Sequence, residues 1–276
     1  MVTMAPAALV DGVVRQPLPY GLFSVFPVRT QGPDRWESGV EWEPGTCAKA
    51  DGIGQFQAPP TSTVGLPKTL TNNMPAFGVA SAFTVYGHFR CSPVGWPPGE
   101  AQRMADAHLL AREENRVEQA FWTGDLGNTP NLQGATVVGA GTTDIVGGIG
   151  LLEDFIGDTY GSLGVIHMTR ASALAALARY AVVAKGGRLE TALGTPVVAG
   201  SGYPGTSPAG VAAAAGTQWM YGTPALLGYR SEIFNASDVA GDNFDRASNT
   251  LTAVAERSYL IGFDPCGVGA VLVDTD

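Results

Sequence analysis

The sequence predicts an α+β fold, in which one long charged helix accompanies two groups of β-strands. Residues 100–125, "EAQRMADAHLLAREENRVEQAFWTGD", are rich in strong helix formers, follow a proline pair and contain a glycine, Gly124, just after the last predicted turn. Residues 164–199 alternate an apolar strand, an amphipathic helix and a second apolar strand. Residues 217–273 contain several short strand-like runs separated by turn formers. A chain of 276 residues is long enough to bury a substantial core.

The composition favours a protein whose surface is covered by neighbouring molecules. Hydrophobic residues make up 45% of the chain and charged residues only 15%, which is a low charged fraction for a soluble protein. The net charge of -9, with no run of lysine and arginine, argues against a protein whose main task is to grip nucleic acid. We expect weak, non-specific contact with DNA at most. Neither an export signal nor eighteen consecutive apolar residues occur, so we expect no membrane partner.

The first 80 residues predict an arm followed by a long loop. Residues 1–35 are punctuated by proline and glycine and contain one strand-like run, "GLFSVFPVRT". In that run Phe23, Val25 and Val28 predict a short exposed strand. Residues 36–80 are dense in turn formers and lack a helical period, and a loop of this length is usually functional or disordered.

Residues 81–125 predict a strand followed by the longest helix of the chain. Phe83, Val85 and Phe89 occupy alternate positions of the strand. The apolar stripe of the helix is thin and consists of Leu110, Val117 and Phe121. Charged residues surround most of the remaining circumference, so we expect this helix to contact other elements or other subunits.

The second half predicts alternating helices and strands. A glycine-rich connection over 131–150 leads into a short helix, and "GVIHMT" follows as a strand. "RASALAALARYAVVAKGG" predicts a helix that Thr169 caps and Lys185 and Gly186 end, with Leu174, Leu177, Ala178 and Ala181 on its apolar face. Further strands are predicted at Pro196–Ala199, within "QWMYGTPALLGYRSEIFN", beside the polar tip "GDNFDRASN", and at the final "VGAVLV".

The three cysteines, Cys47, Cys91 and Cys266, are the first candidates for catalytic chemistry. Three cysteines at wide spacings, without a C-x-x-C pair, predict neither a disulfide framework nor a zinc site, and a reducing cytosol is the expected place of synthesis. A catalytic thiol at Cys266 would need a base among His88, His108 and His167, and none of them stands in a nucleophile signature. A small buried structural cysteine is therefore the favoured interpretation.

Other sites of chemistry find little support in the sequence. The glycine-rich segments "GAGTTDIVGG" and "GFDPCGVGAV" do not follow a strand and open a helix, as a phosphate cradle requires. Asp238, Asp242 and Asp245 offer carboxylates that a cation could use, but a solvated loop is the favoured interpretation. We expect no enzymatic activity, no cofactor and no metal.

The order of these elements resembles that of the major capsid proteins of tailed bacteriophages, whose fold is shared with encapsulin nanocompartments. The segments that carry the resemblance are the arm, the loop, the long helix, "GVIHMTRASALAALARYAVVAKGGRLETALGTPVV" and "NTLTAVAERSYLIGFDPCGVGAVLV". The ending "ERSYLIGFDPCGVGAV" resembles endings from phages of high-GC Gram-positive hosts. The resemblance implies an N-terminal arm (1–35), an extended loop (36–80), a peripheral domain with a spine helix (81–145 and 225–259) and a central axial domain (146–224 and 260–276).

The resemblance also implies a function. It implies a structural subunit that forms hexamers and pentamers of an icosahedral phage head, encloses packaged DNA and resides in the virion. Because the arm is short, a separate scaffolding protein is expected as a partner, together with a portal and decoration proteins. The alternatives are an encapsulin-like shell with protein cargo and a cysteine-dependent enzyme that uses Cys266.

Seven residues are expected at contacts between subunits. They are Lys49, Lys68, Arg112, Arg116, Asp245, Arg246 and Asn249. Some capsid proteins of this kind join a loop lysine to a neighbour's asparagine through an isopeptide bond, for which Lys49 or Lys68 and Asn249 are the candidates. Neither side shows a distinctive motif, so noncovalent contacts are favoured.

Overall fold

The computed structural model of the chain describes residues 16–30, 32–45, 47, 76–92, 99–235 and 244–275. The helices are α1 (Glu100–Thr123), α2 (Ile145–Thr159) and α3 (Arg170–Ala178). The strands are β1 (Val40–Trp42), β2 (Gly78–Ala80), β3 (Ala82–Cys91), β4 (Thr136–Asp144), β5 (Val165–Thr169), β6 (Val182–Lys185), β7 (Arg188–Thr191), β8 (Pro196–Gly200), β9 (Thr217–Thr223), β10 (Leu226–Arg230), β11 (Phe234–Asn235), β12 (Phe244–Asp245), β13 (Thr250–Phe263) and β14 (Gly269–Asp274). Among these helices none is both long and apolar enough to cross a membrane.

The strands form two large sheets and a small ribbon, which confirms the α+β class. A seven-stranded mixed sheet has the order β4-β14-β9-β5-β8-β7-β6, and α2 and α3 pack on it. A five-stranded antiparallel sheet is centred on the long strand β13, which pairs with β3, β10, β11 and β12. The ribbon joins β1 to β2. Because β13 and β14 are consecutive in the chain but lie in different sheets, the turn between them crosses from one sheet to the other.

Helix α1 begins and ends where the sequence predicts, but its buried face differs from the predicted stripe. Gly99 and Gly124 flank it in left-handed conformations, and the Gly124 N–H donates to the Ala120 carbonyl. Leu110, predicted to be buried, is 53% exposed. The buried face instead contains the small Ala101 and Ala105, followed by Leu109, Glu113, Val117, Glu118, Ala120, Phe121 and Trp122. Val117 and Phe121 are buried as predicted, whereas the buried Glu113 and Glu118 were not expected, because apolar residues normally fill such positions.

The predicted helix over residues 170–187 is half as long as expected. Thr169 caps α3 by accepting a hydrogen bond from Ser172 N–H at 3.2 Å, as predicted, but α3 ends at Ala178. The rest forms the hairpin of β6 and β7, whose turn is Gly186-Gly187, with both glycines at positive φ. Leu174, assigned to the buried face, is 69% exposed. The β-branched pair Val182-Val183 before two glycines is a strand and turn signal that the helical period concealed.

Two further segments differ from prediction. In the glycine-rich connection, β4 extends over Thr136–Asp144, and α2 begins at Ile145 because the Asp144 side chain accepts hydrogen bonds from the Val146 and Gly147 N–H groups. The run "GLFSVFPVRT" is not a strand, since Leu22–Ser24 form a 3-10 turn. Other predicted strands are confirmed, including the inward Phe83 and Val85 of β3 and the final strand β14.

The contact between α1 and β3 depends on one glycine. A Cβ atom added at Gly87 would lie 2.5 Å from the Leu109 nitrogen and 2.8 Å from the Ala105 carbonyl oxygen, both backbone atoms of α1. Backbone atoms cannot rotate away as a side chain can, so the helix and the strand would have to separate.

We expect Gly87→Ala to lower the free energy of unfolding by about 1–3 kcal/mol, the usual cost of overpacking. The matched control is Gly150→Ala, which adds the same methyl group to α2 where no atom lies within 4 Å; it should stabilise by about 1 kcal/mol through helix propensity. Urea denaturation of both variants measures the difference. Equal stabilities would show that the helix and the strand are not in close backbone contact.

Candidate functional site

Helix α1 connects the two large sheets. Its first half packs against β3 and β13 of the five-stranded sheet. Its last turn packs against the seven-stranded sheet. There the Trp122 ring centroid lies 4.8 Å from that of Tyr203 and 4.6 Å from that of Tyr221. The Trp122 indole N–H donates to the Thr206 hydroxyl at 3.0 Å. One hydrophobic cluster therefore runs continuously from one sheet to the other.

Glu118 is fully buried where α1, the N-terminal segment (residues 16–30) and the seven-stranded sheet meet. One carboxylate oxygen accepts the Leu22 N–H at 3.0 Å, and the other accepts the Gly202 N–H at 2.7 Å. The Ser201 hydroxyl donates to the second oxygen at 3.3 Å. Within the described residues Glu118 has no ion-pair partner, so burial raises its pKa to about 7, although these donors act in the opposite direction.

Glu114 extends the same contact by one helical turn. Its carboxylate accepts the Phe23 N–H at 2.8 Å, and burial raises its pKa. We refer to Leu22, Phe23, Glu114, Glu118, Ser201 and Gly202 together as the joint. The space around it is tight, because a Cβ at Gly202 would lie 1.9 Å from the Asn115 carbonyl oxygen.

Glu113 faces the opposite direction, into the five-stranded sheet. The Arg257 guanidinium donates to its carboxylate at 2.8 Å, and the Tyr259 hydroxyl donates to the same oxygen at 2.5 Å. Both donors are side chains of β13, so this buried ion pair fixes α1 to the sheet. Consecutive glutamates of one helix therefore bind different parts of the molecule.

The N-terminal segment is bound at three further points. The Tyr20 carbonyl accepts the Ala199 N–H of β8 at 2.8 Å, and the Pro19 carbonyl accepts the Arg170 guanidinium at 3.0 Å. Further along, Arg29 exchanges backbone hydrogen bonds with Gly228 and Arg230 of β10. The segment thus crosses from the seven-stranded sheet, over α1, to the five-stranded sheet.

The histidines proposed as bases for Cys266 do not form a catalytic arrangement with it. His167 is fully buried, and its ring nitrogens lie 2.9 Å from the Tyr203 hydroxyl and 3.0 Å from the Thr223 hydroxyl. Burial lowers the pKa of His167 to about 3, so its ring is neutral at physiological pH. His108 Nδ1 lies 2.9 Å from the His88 carbonyl oxygen on the outer side of α1. The structure assigns His167 to the core.

Cys266 is bonded to Cys47, which corrects the prediction of a free buried cysteine. The two residues are 219 positions apart, and both are partly exposed. Beside them the Trp42 indole N–H donates to an Asp264 carboxylate oxygen at 2.8 Å. Cys266 therefore has no free thiol to act as a nucleophile, and the expectation that no disulfide forms was wrong. Cys91, on β3, is free.

The predicted assembly residues are found at several places on the surface. Arg112 and Arg116 are exposed on α1, one helical turn apart. Asp245, Arg246 and Asn249 are exposed at the hairpin between β12 and β13. There the Asp245 carboxylate accepts hydrogen bonds from the Ala247 N–H and the Ser248 hydroxyl. Lys49 and Lys68 lie outside the described residues, as do Asp238 and Asp242, two of the three carboxylates that a cation could use.

The sequence interpretation missed the joint and the disulfide. A signal for the joint was present, because Glu114 and Glu118 are four residues apart and Glu113 lies four residues from Leu109 and Val117, all on faces that turn inward. No spacing rule pairs Cys47 with Cys266, since the two cysteines are 219 positions apart and meet only in the folded chain.

Comparison with solved structures shows the fold. No protein-family model matches the chain, and no curated protein matches it. A structure from Mycobacterium phage Cain matches at 14% identity and a TM-score of 0.54, over 100% of this chain and 97% of that one. A structure from Mycobacterium phage Ogopogo matches at 16% identity and a TM-score of 0.51, over 98% and 97%.

The capsid of an empty GTA particle also matches, at 14% identity and a TM-score of 0.50, over 99% of this chain and 95% of that one. These likenesses cover the chain from end to end. The chain therefore has the major capsid fold of tailed phages, as its order of elements predicts.

The joint makes the stability of the folded chain depend on pH in a direction opposite to that of carboxylates whose pKa an ion pair lowers. Because the pKa of Glu118 is raised from 4.5 to about 7, the folded protein binds this proton more tightly than the unfolded chain does. Its contribution to the free energy of unfolding is largest below pH 4.5 and falls as the pH rises to about 7. The total change is about 3 kcal/mol, at about 1.4 kcal/mol for each unit of pKa.

We expect Glu118→Gln to abolish this slope and to cost about 1–3 kcal/mol at low pH, because the amide NH₂ faces backbone donors. The measurement is urea denaturation of unassembled subunits between pH 4.5 and 8, with the charge-matched exposed variant Glu232→Gln as control. The opposite slope from His167 is common to all three proteins and cancels in their differences. A difference between wild type and Glu118→Gln that does not vary with pH would contradict the account.

Proposed function

We propose that this chain is a shell-forming subunit that associates with copies of itself as hexamers and pentamers of an icosahedral phage head, around packaged DNA. The observation that carries the proposal is the end-to-end likeness of fold, which includes the capsid of a GTA particle. The five-stranded sheet with α1 would be the peripheral domain, and the seven-stranded sheet with α2 and α3 the axial domain. A structural role, without catalysis, is part of the proposal.

One end of the seven-stranded sheet supports self-association, because it exposes large apolar side chains. Tyr180 is 83% exposed, Leu193 79% and Leu174 69%. The first two flank the base of the β6–β7 hairpin, where the Ala192 N–H donates to the Ala181 carbonyl. Strand β6 is also the outer strand of its sheet, with one edge free of strand partners within the described chain. An apolar patch beside an open edge is typical of an interaction surface.

The outer face of α1 supports a second contact. His108, Arg112 and Arg116 are four residues apart and therefore form one exposed row. A groove of about 370 Å³ is lined by this row together with Tyr86 and His88 of β3. Neither arginine makes an ion pair within the described part of the chain, although the net charge is -9. We assign this row to contacts with acidic groups of a neighbouring subunit.

Exposed acidic groups that fit this row are present on the same chain. Glu37, Glu41 and Glu43 lie at the start of the extended loop and are exposed. The hairpin tip at Asp245, Arg246 and Asn249 is a further proposed contact. Lys49 and Lys68 are proposed contacts of the loop itself.

The remaining partners follow from the proposed role. A separate scaffolding protein, a portal and decoration proteins are expected, and synthesis would take place in the host cytoplasm. A cargo-enclosing compartment is the alternative, and particle contents distinguish the two. Particles that hold protein cargo and no DNA would favour the compartment.

Light scattering tests the proposed function. The chain co-expressed with its scaffolding protein should yield particles in the megadalton range, and a stable monomer under these conditions would refute the proposal.

We expect the double variant Arg112→Ala/Arg116→Ala to fold normally but to give a particle yield at least tenfold lower than that of wild type. The effect is large because a weak contact repeated around a shell is amplified by multivalency. The control is Arg103→Ala, which removes an exposed arginine of the same helix that already pairs with Glu100. Circular dichroism establishes folding, and sedimentation measures yield. Wild-type yield from the double variant would exclude the row as a subunit contact.

A further inference from the structure

We propose that Cys47 and Cys266 form a thiol–disulfide exchange site that fastens the start of the extended loop to the end of the five-stranded sheet after shell assembly. The timing rests on the proposed function, whereas the exchange chemistry does not. In this account the chain is made with free thiols, and the disulfide forms when the particle meets an oxidising environment.

The two sulfur atoms are brought together by contacts that do not need the bond. The Trp42 indole, five residues before Cys47, donates to Asp264, two residues before Cys266. The pairing of β1 with β2 holds Trp42 in the ribbon. Its ring packs so closely that a Cβ at Gly78 would lie 2.2 Å, and one at Gly262 2.7 Å, from ring atoms. The reduced thiols are therefore already neighbours, which favours the disulfide once an oxidant is available.

Both half-cystines can be reached by small reagents. Cys47 and Cys266 are partly exposed, and Pro265 beside them is exposed. A buried thiol pair would react slowly, because thiol–disulfide exchange requires a direct approach along the sulfur–sulfur axis. The site is therefore open to an oxidant and to a reductant.

Cys91 does not compete for either partner. It pairs in register with Leu251 near the start of β13, whereas Cys266 follows Phe263 at the end of that strand. Twelve residues of extended strand separate the two ends by about 40 Å at about 3.3 Å for each residue. Disulfide exchange within one chain is thus confined to Cys47 and Cys266.

The chemistry requires a small-molecule disulfide as oxidant, of the glutathione disulfide class. The thiolate of one cysteine attacks the oxidant, forms a mixed disulfide and releases one reduced thiol. The second cysteine then displaces the other half as a second thiol, so two cysteines lose two electrons and two protons while one disulfide becomes two thiols. A reducing cytosol drives this reaction backwards, and an extracellular environment drives it forwards.

A metal ion is the rival for the same atoms. Ligand atoms of Cys47, Asp264 and Cys266 lie within 4.8 Å of one another, and two thiolates with a carboxylate form a donor set that zinc accepts. Structural zinc sites take four protein ligands, and the described residues supply three here. The disulfide is therefore the state that we infer for the particle, and bound zinc is an outcome of the test.

The first experiment traps the cysteines of purified particles with iodoacetamide before any reductant is added. We expect Cys91 alone to be alkylated, a linked peptide that joins residues 36–49 to 258–276, and no stoichiometric zinc by elemental analysis. Alkylation of all three cysteines, or one zinc for each chain, would overturn the proposal. If the linked peptides came from a protein that stays monomeric, the disulfide site would be confirmed and the proposed shell function would be refuted.

The second experiment tests the timing and the fastening. Chains alkylated within intact host cells should carry free Cys47 and Cys266, and disulfide already present there would refute formation after assembly.

Cys47→Ser particles should dissociate at a lower denaturant concentration than wild-type particles. Wild-type particles treated with reductant should do the same, and particles of the control Cys91→Ser should not differ from wild type. If Cys47→Ser does not fold, the dissociation of wild-type particles treated with reductant tests by itself whether the disulfide fastens the loop. Unchanged dissociation after complete reduction would show that the disulfide does not fasten the loop.

Discussion

The structure depends on a carboxylate that is buried without an ion-pair partner in the described chain. Glu118 accepts backbone hydrogen bonds from Leu22 and Gly202, which are 180 residues apart in the sequence. An apolar side chain at this position would leave both N–H groups unsatisfied in the core, which costs about 1–3 kcal/mol for each. These hydrogen bonds specify where the N-terminal segment and the seven-stranded sheet meet α1, and the aromatic contacts of Trp122 bury apolar surface at the same junction.

This arrangement suits the proposed role, in which a shell subunit must be stiff. Helix α1 is held to the five-stranded sheet by Glu113 and to the rest by Glu114 and Glu118, so both large sheets bind one rigid element. The outer side of α1 remains available to neighbours, because its buried side carries the internal contacts. The disulfide and the Trp42–Asp264 hydrogen bond join Trp42 and Cys47 to the turn between β13 and β14.

Much of the fold was predictable because local signals agree with it. Thr169 caps α3, Gly124 ends α1, and Phe83 and Val85 alternate in β3, as their residue types predict. Predictions failed where tertiary contacts override helical spacing, and where a helical period concealed a local strand and turn signal. Leu174 and Leu110 are exposed despite their helical spacing, and the β6–β7 hairpin replaces a helix because Val182, Val183 and a glycine pair favour it. The spacing of Glu114 and Glu118 indicates an inward helix face, but it does not identify their partners, and the joint and the disulfide both combine residues distant in sequence.

The central claim, that this fold is used to build a closed shell, is tested most directly by electron cryomicroscopy. The material to image is the chain assembled with its scaffolding protein. The account predicts isometric particles with five-fold vertices, in which a neighbouring subunit covers the row of Arg112 and Arg116 on every chain. Discrete small oligomers, or closed particles in which that row faces solvent throughout, would contradict it.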